Sequence, residues 1–155
     1  MNKVFIVLAL VFAVSCADGP LFDIYQFLDQ EVNGEGVPIT TEICMEETKF
    51  KILKTAINPS EIIKGQDINI KVQGQALVDL TMKNLNLVTK YNGADIFTDN
   101  KDQGGKAVPT GDKFVYQYTA SVPTFTPAGE WDIYLKLEND DDEVVSCLKA
   151  HFTMP

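Results

Sequence analysis

The one histidine of the chain, His151, stands between Ala150 and Phe152. Acid–base work through it would need a nucleophile within hydrogen-bond reach. Ser146 and Thr153 are nearby in sequence, but an extended strand does not bring such neighbours into a triad, which is a matter of geometry and not of sequence proximity. His151 therefore reads as a strand residue without a catalytic role. No CxxC, no HExxH and no His/Cys cluster at metal-ligand spacing occurs, so no metal site is expected. The run Glu138, Asp140, Asp141, Asp142, Glu143 is acidic, but it lacks the alternating ligands and central glycine of a calcium loop. It reads as a solvated hairpin turn. Gly105-Lys106 is followed by Ala107 and has no glycine five residues before it, which excludes a phosphate-cradling loop. Proline inside Asn58-Pro59-Ser60 rules out N-glycosylation there. The chemistry points to a non-enzyme with no cofactor.

Thiol oxidation is the chemistry that remains, and the N-terminus says where it would occur. Lys3, an apolar run over residues 4–14, and small residues at Ser15 and Ala17 make a secretory signal peptide of residues 1–17, cut after Ala17. A lipoprotein signal built on Cys16 is the alternative. Cleavage leaves about 138 residues, enough for one domain. It also leaves two cysteines, Cys44 and Cys147, which allow one intramolecular bridge in a compartment where disulfides persist. That bridge would close a loop of roughly 100 residues and stabilise the fold by about 4–5 kcal/mol.

The formal charge of the whole chain is −9, and losing Lys3 makes it −10. There is no arginine. Such a chain is a poor partner for nucleic acid, whose phosphates call for clustered cations, or for tight electrostatic docking on anionic membranes. Lys49, Lys51, Lys54 and Lys64 read as solvated strand faces.

The elements that would carry these residues are strands. Residues 18–41 are acidic and irregular, with Leu21, Ile24, Tyr25 and Leu28 at helical spacing; they read as an N-terminal extension docked weakly or not at all. From residue 50 the period becomes two. Ile68, Ile70 and Val72 alternate with Asp67, Asn69 and Lys71. Leu85, Leu87, Thr89 and Tyr91 share a face, as do Phe114, Tyr116 and Tyr118, and then Trp131, Ile133, Leu135 and Leu137. Asn92-Gly93 marks a turn, Ile96 and Phe97 begin a short strand, and residues 99–105 read as a polar loop. The expectation over residues 42–155 is an all-β, immunoglobulin-like antiparallel β-sandwich of about seven to eight strands. Its inward aromatics (Tyr91, Phe97, Phe114, Tyr116, Tyr118, Phe125, Trp131) read two ways: a filled core, or sheets that splay around an apolar ligand. Composition alone favours the filled core.

Several ordered elements bear on that choice. An early cysteine precedes Phe50-Lys51-Ile52. Asn58-Pro59 follows, and Lys64-Gly65-Gln66 opens an alternating strand. Val108-Pro109 with Gly111 precedes an aromatic strand, and Val122-Pro123 leads to Pro127-Ala128-Gly129. After the acidic turn comes Val144-Val145-Ser146-Cys147. In this order, from Cys44 to Met154, the chain resembles the ML lipid-recognition domain family, which includes secreted Niemann–Pick type C sterol carriers and phosphatidylglycerol/phosphatidylinositol transfer proteins. The resemblance implies a sandwich whose two sheets part to hold a lipid, and pairing of the early and late cysteines. Family members often carry further disulfides, including one around a Cys-Pro element; here Ala107-Val108-Pro109 stands in that region.

The resulting expectation is a secreted or endolysosomal lipid-binding and lipid-transfer protein. It would carry a phospholipid of the phosphatidylglycerol/phosphatidylinositol type or a sterol, touch membranes transiently and act as a monomer. The alternative is an immunoglobulin-like protein-binding or lipid-presenting module without transfer. Strand parity nominates Ile70, Leu87, Tyr91, Phe114, Tyr116, Tyr118, Phe125, Trp131, Ile133 and Leu135 as lipid-binding residues. The loops over residues 99–108 and 122–129 are the expected gates.

Overall fold

The computed structural model describes residues 36–155; the leader, its cut site and the helical spacing at Leu21–Leu28 lie outside the described residues. Ten strands follow in order: β1 (Val37–Pro38), β2 (Thr40–Ile43), β3 (Phe50–Asn58), β4 (Glu61–Ile62), β5 (Asp67–Ala76), β6 (Leu80–Tyr91), β7 (Ala94–Val108), β8 (Lys113–Ser121), β9 (Gly129–Asn139) and β10 (Val144–Met154). Eight of them build two antiparallel sheets, one ordered β2-β10-β9-β6-β7 and the other β3-β5-β8; β1 and β4 form a small separate ribbon. The architecture is an open antiparallel sandwich.

Period-two patterning drives the assembly. β5 alternates along its whole length, burying Ile68, Ile70, Val72 and Ala76 on the inner face. β9 does the same with Ile133, Leu135 and Leu137. Apolar burial on both inner faces is the main force holding the sheets together. Gly74 also lies on the inner face, where a β-carbon would overlap the Phe50 ring and the Lys51 carbonyl oxygen. Gly74→Ala is therefore expected to cost about 1–3 kcal/mol by overpacking, read as a lowered denaturation midpoint with unchanged slope.

Two expectations about elements are corrected. Pairing begins earlier than the sequence pattern suggested. Val37 pairs with Ile62, and Thr40 and Thr41 pair with His151 and Ala150, so residues 37–41 are docked by backbone hydrogen bonds. β2 is an exposed edge strand, and such a strand needs no apolar alternation to pair. Residues 99–105, read as a polar loop, lie within β7, which pairs with β6 from Ala94 to Val108. Within this stretch the ladder bulges: the register shifts between Asn84 and Met82, and Gly104 and Gly105 take φ of 72° and 61°. The acidic run forms the β9–β10 hairpin turn, where the Asn139 side-chain oxygen accepts from the amides of Asp141 and Glu143 at 3.1 and 2.9 Å.

Cys44 and Cys147 are joined as a disulfide, with Cα atoms 5.2 Å apart. The Cys44 amide also donates to the Cys147 carbonyl at 3.0 Å. The bridge fastens the end of β2 to β10 within one sheet. Ser146 shares the inward parity of Leu148, Ala150 and Phe152 along β10, and its hydroxyl shares a 2.9 Å hydrogen bond with the Tyr116 hydroxyl. That buried bond links β10 of one sheet to β8 of the other.

Candidate functional site

The interior divides into two halves. Around Tyr116 it is closed: Phe50 and Tyr116 approach at 6.4 Å between ring centroids, and both are buried. Burial pushes the Tyr116 phenol far above its ordinary range, against the opposing effect of the Ser146 hydrogen bond. Toward the other end, where β8 stops and β9 begins, the sheets leave a cavity of about 530 Å³, within the usual 300–1,000 Å³ range of small-molecule sites.

Its position follows from side-chain size. On the inner face of β8 the series Phe114, Tyr116, Tyr118 ends in Ala120. A methyl stands where the pattern has placed rings. Across from it, β6 contributes Leu87 and Thr89, β9 contributes Trp131 and Ile133, and β10 contributes Phe152. Ile96 and Phe97 from β7 and Val122, Pro123 and Phe125 from the β8–β9 connection complete the wall. No lining residue carries a charge.

Trp131 is held on several sides. Its ring lies 4.9 Å from that of Tyr91 and stacks on Phe152 at 6.2 Å. Its indole N–H donates to the Pro127 carbonyl at 3.2 Å, while the Tyr91 hydroxyl donates to the Ala128 carbonyl at 2.7 Å. These bonds pin the connection over residues 122–128 to β6 and β9. At the mouth Ile96, Phe97 and Phe125 are 51%, 52% and 82% exposed, which leaves an apolar rim.

Along the flank, β7 and β8 are the neighbouring edges of the two sheets and are joined by side chains. The Tyr118 hydroxyl donates to the Asp99 carboxylate at 2.7 Å, and the Lys101 ammonium donates to the Gln117 carbonyl at 3.4 Å. Burial first, and then the bond to Asp99, push the Tyr118 phenol up to about 12. Asp99 is held below its ordinary 3.8 by the Tyr118 hydroxyl and then by the Asn100 amide. A depressed carboxylate contributes above its ordinary value and loses that contribution only as pH falls through the depressed one. The latch is thus intact from pH 7 to pH 5. Tyr118→Phe should speed release of a bound apolar probe several-fold, and by the same factor at both pH values in stopped-flow fluorescence.

Of the residues nominated by parity, Leu87, Tyr118, Phe125, Trp131 and Ile133 line the cavity. Tyr91 stands behind Trp131. Ile70, Phe114, Tyr116 and Leu135 are buried among the packed core and do not line it. Parity assigns a face, whereas the cavity occupies only one end of that face. The lining residues not nominated include Thr89, Ile96, Phe97, Ala120, Val122 and Phe152. Thr89 and Phe152 were accessible to the same parity rule, since they share faces with Leu87 and Ala150. His151 points to the outer face, where Nδ1 lies 2.8 Å from Asp132 Oδ1, while Ser146 points inward. The two sit on opposite faces of β10 and form no dyad.

Residues 38–154 match the sequence profile of the ML domain. Among solved structures, the Niemann-Pick type C2 protein from Japanese carpenter ant is similar, at 19% identity and a TM-score of 0.58, over 75% of this chain and 99% of that one. Chicken MD-1 complexed with lipid IVa is similar at 15% identity and a TM-score of 0.51, over 79% and 94%. No curated protein matches the chain.

Proposed function

This chain belongs to the ML domain family, and from that premise we propose that it binds a lipid in the cavity between its sheets and carries it between membranes. One observation carries the reading: an uncharged, largely apolar cavity of about 530 Å³ that opens at an apolar rim. Each CH₂ moved from water into it contributes about 0.8 kcal/mol. The lipid IVa complex of chicken MD-1 supports the use of this fold for lipid. The alternative of a protein-binding module rests on a filled interior, and the cavity weighs against it. The Cys44–Cys147 bridge fits residence in a secreted or endolysosomal compartment, and the chain acts as a monomer.

The rim is the membrane contact. Ile96, Phe97 and Phe125 present apolar tips beside the opening, and large exposed apolar groups of this kind favour partition into a bilayer surface. Replacing Phe97 and Phe125 together with serine should slow vesicle-to-vesicle transfer about tenfold or more, because about 1.5–3 kcal/mol of burial per ring is lost from the contact. Affinity for monomeric lipid should fall less than transfer does, because the two rings form only part of the wall. The deciding experiment is mass spectrometry of an extract of the protein purified from its native host. Stoichiometric lipid is expected. A clean extract, together with failure to take up phospholipid or sterol from vesicles, would overturn the reading.

A further inference from the structure

Six polar residues line the cavity: Thr89, Tyr118, Thr119, Ser121, Thr126 and Trp131. Five are engaged within the protein. Tyr118 donates to Asp99 at 2.7 Å, Ser121 to Asp67 at 2.6 Å, Thr126 to the Pro123 carbonyl at 2.6 Å and Trp131 to the Pro127 carbonyl at 3.2 Å. Thr119 accepts from the Asn69 amide at 3.3 Å. The Thr89 hydroxyl alone makes no side-chain hydrogen bond. It shares the inner face of β6 with Leu87, and its cross-strand neighbours are Phe97 and Ile133, all three of them lining residues. Leu87 forms the buried floor and Phe97 the exposed rim. Thr89 therefore stands on the side wall, two residues or about 7 Å above the floor along the strand.

We propose that Thr89 is the hydrogen-bonding anchor of this cavity, and that its ligand is a neutral lipid with a hydroxyl or carbonyl oxygen on the inserted apolar body. The inference rests on the lipid-binding reading above and narrows it. A hydroxyl both donates and accepts, so it pairs with either oxygen. A pure hydrocarbon would bury the Thr89 hydroxyl without a partner, which carries a full desolvation penalty. A phosphate or carboxylate drawn to that depth would meet no cation, since no lysine lines the wall, and an unpaired buried charge is costlier still. Selection is thus for one neutral oxygen, and it arises mainly from rejection of ligands that lack it.

The test is displacement of the neutral fluorophore N-phenyl-naphthylamine from the purified protein by dodecanol, dodecane and dodecyl phosphate. Dodecanol is expected to displace the fluorophore at roughly tenfold lower concentration than either of the others. Thr89→Val, which keeps shape, should tighten dodecane and weaken dodecanol until they differ by about twofold or less; Thr89→Ser should keep the original order. An unchanged alcohol preference in Thr89→Val would overturn the anchor. Preference for dodecyl phosphate in the wild-type protein would overturn the neutral class. Binding of neither fluorophore nor any competitor would instead overturn the lipid-binding reading on which the inference stands.

Discussion

Replacing Cys44 and Cys147 together with serine is expected to lower the free energy of unfolding by about 4–5 kcal/mol. The bridge spans 103 residues, and a cross-link of that length removes much of the loop-closure entropy of the unfolded chain. Typical domains have only about 5–15 kcal/mol in hand, so the variant should unfold at a far lower guanidinium concentration, with a similar slope if unfolding stays two-state. A local effect adds to this. β2 is exposed along its four residues and buries little of its own, so losing the anchor at Cys44 should free it from β10. Amide exchange at residues 40–44 should then rise before the rest of the sheet opens. The cavity lies at the other end of β10, near Phe152, so lipid affinity measured below the unfolding transition should change less than threefold. A loss of under about 1 kcal/mol in denaturation would contradict the entropic account of the bridge.

Ala120→Trp is expected to weaken lipid binding by about a hundredfold. The side chain at this position faces the cavity from β8, where its small size leaves the space open. An indole there would fill volume that a lipid tail otherwise takes. Excluding three or four methylenes at about 0.8 kcal/mol each amounts to roughly 3 kcal/mol, and each 1.4 kcal/mol is a factor of about ten in affinity. Because the ring enters existing space, the cost to stability should stay below about 1.5 kcal/mol. Titration with a fluorescent lipid, beside a denaturation curve, separates the two effects. Full affinity in a folded Ala120→Trp protein would place the lipid elsewhere.

Much of the sandwich was legible because burial on one face writes a period of two into β5, β6, β8, β9 and β10. β2 and β7 were harder. Both are sheet edges whose side chains are largely exposed, so backbone pairing leaves no apolar trace, and Gly104-Gly105 looks like a turn when it forms a bulge. The disulfide followed from the count, since two cysteines beyond the leader allow one bridge, and the family resemblance implied the same pair. The cavity was half legible. Parity placed Leu87, Tyr118, Trp131 and Ile133 on the inner faces, but it is silent on depth along a strand, so Tyr116 and Leu135 looked equivalent to them. The informative residues were the small and polar ones. Ala120 ends an aromatic series, and Thr89 interrupts an apolar face.

The Tyr116–Ser146 bond sets the mechanical behaviour of the open half. It ties the two sheets at one point, and the chain beyond it runs six residues to Val122, an arm of about 20 Å. A tilt of about 5° at that point moves the tip by roughly 2 Å, a large fraction of the width of a hydrocarbon chain. A small change in the angle between the sheets beyond that bond would therefore alter the width of the opening by a large fraction of a hydrocarbon chain, while the packed half around Tyr116 stays as it is.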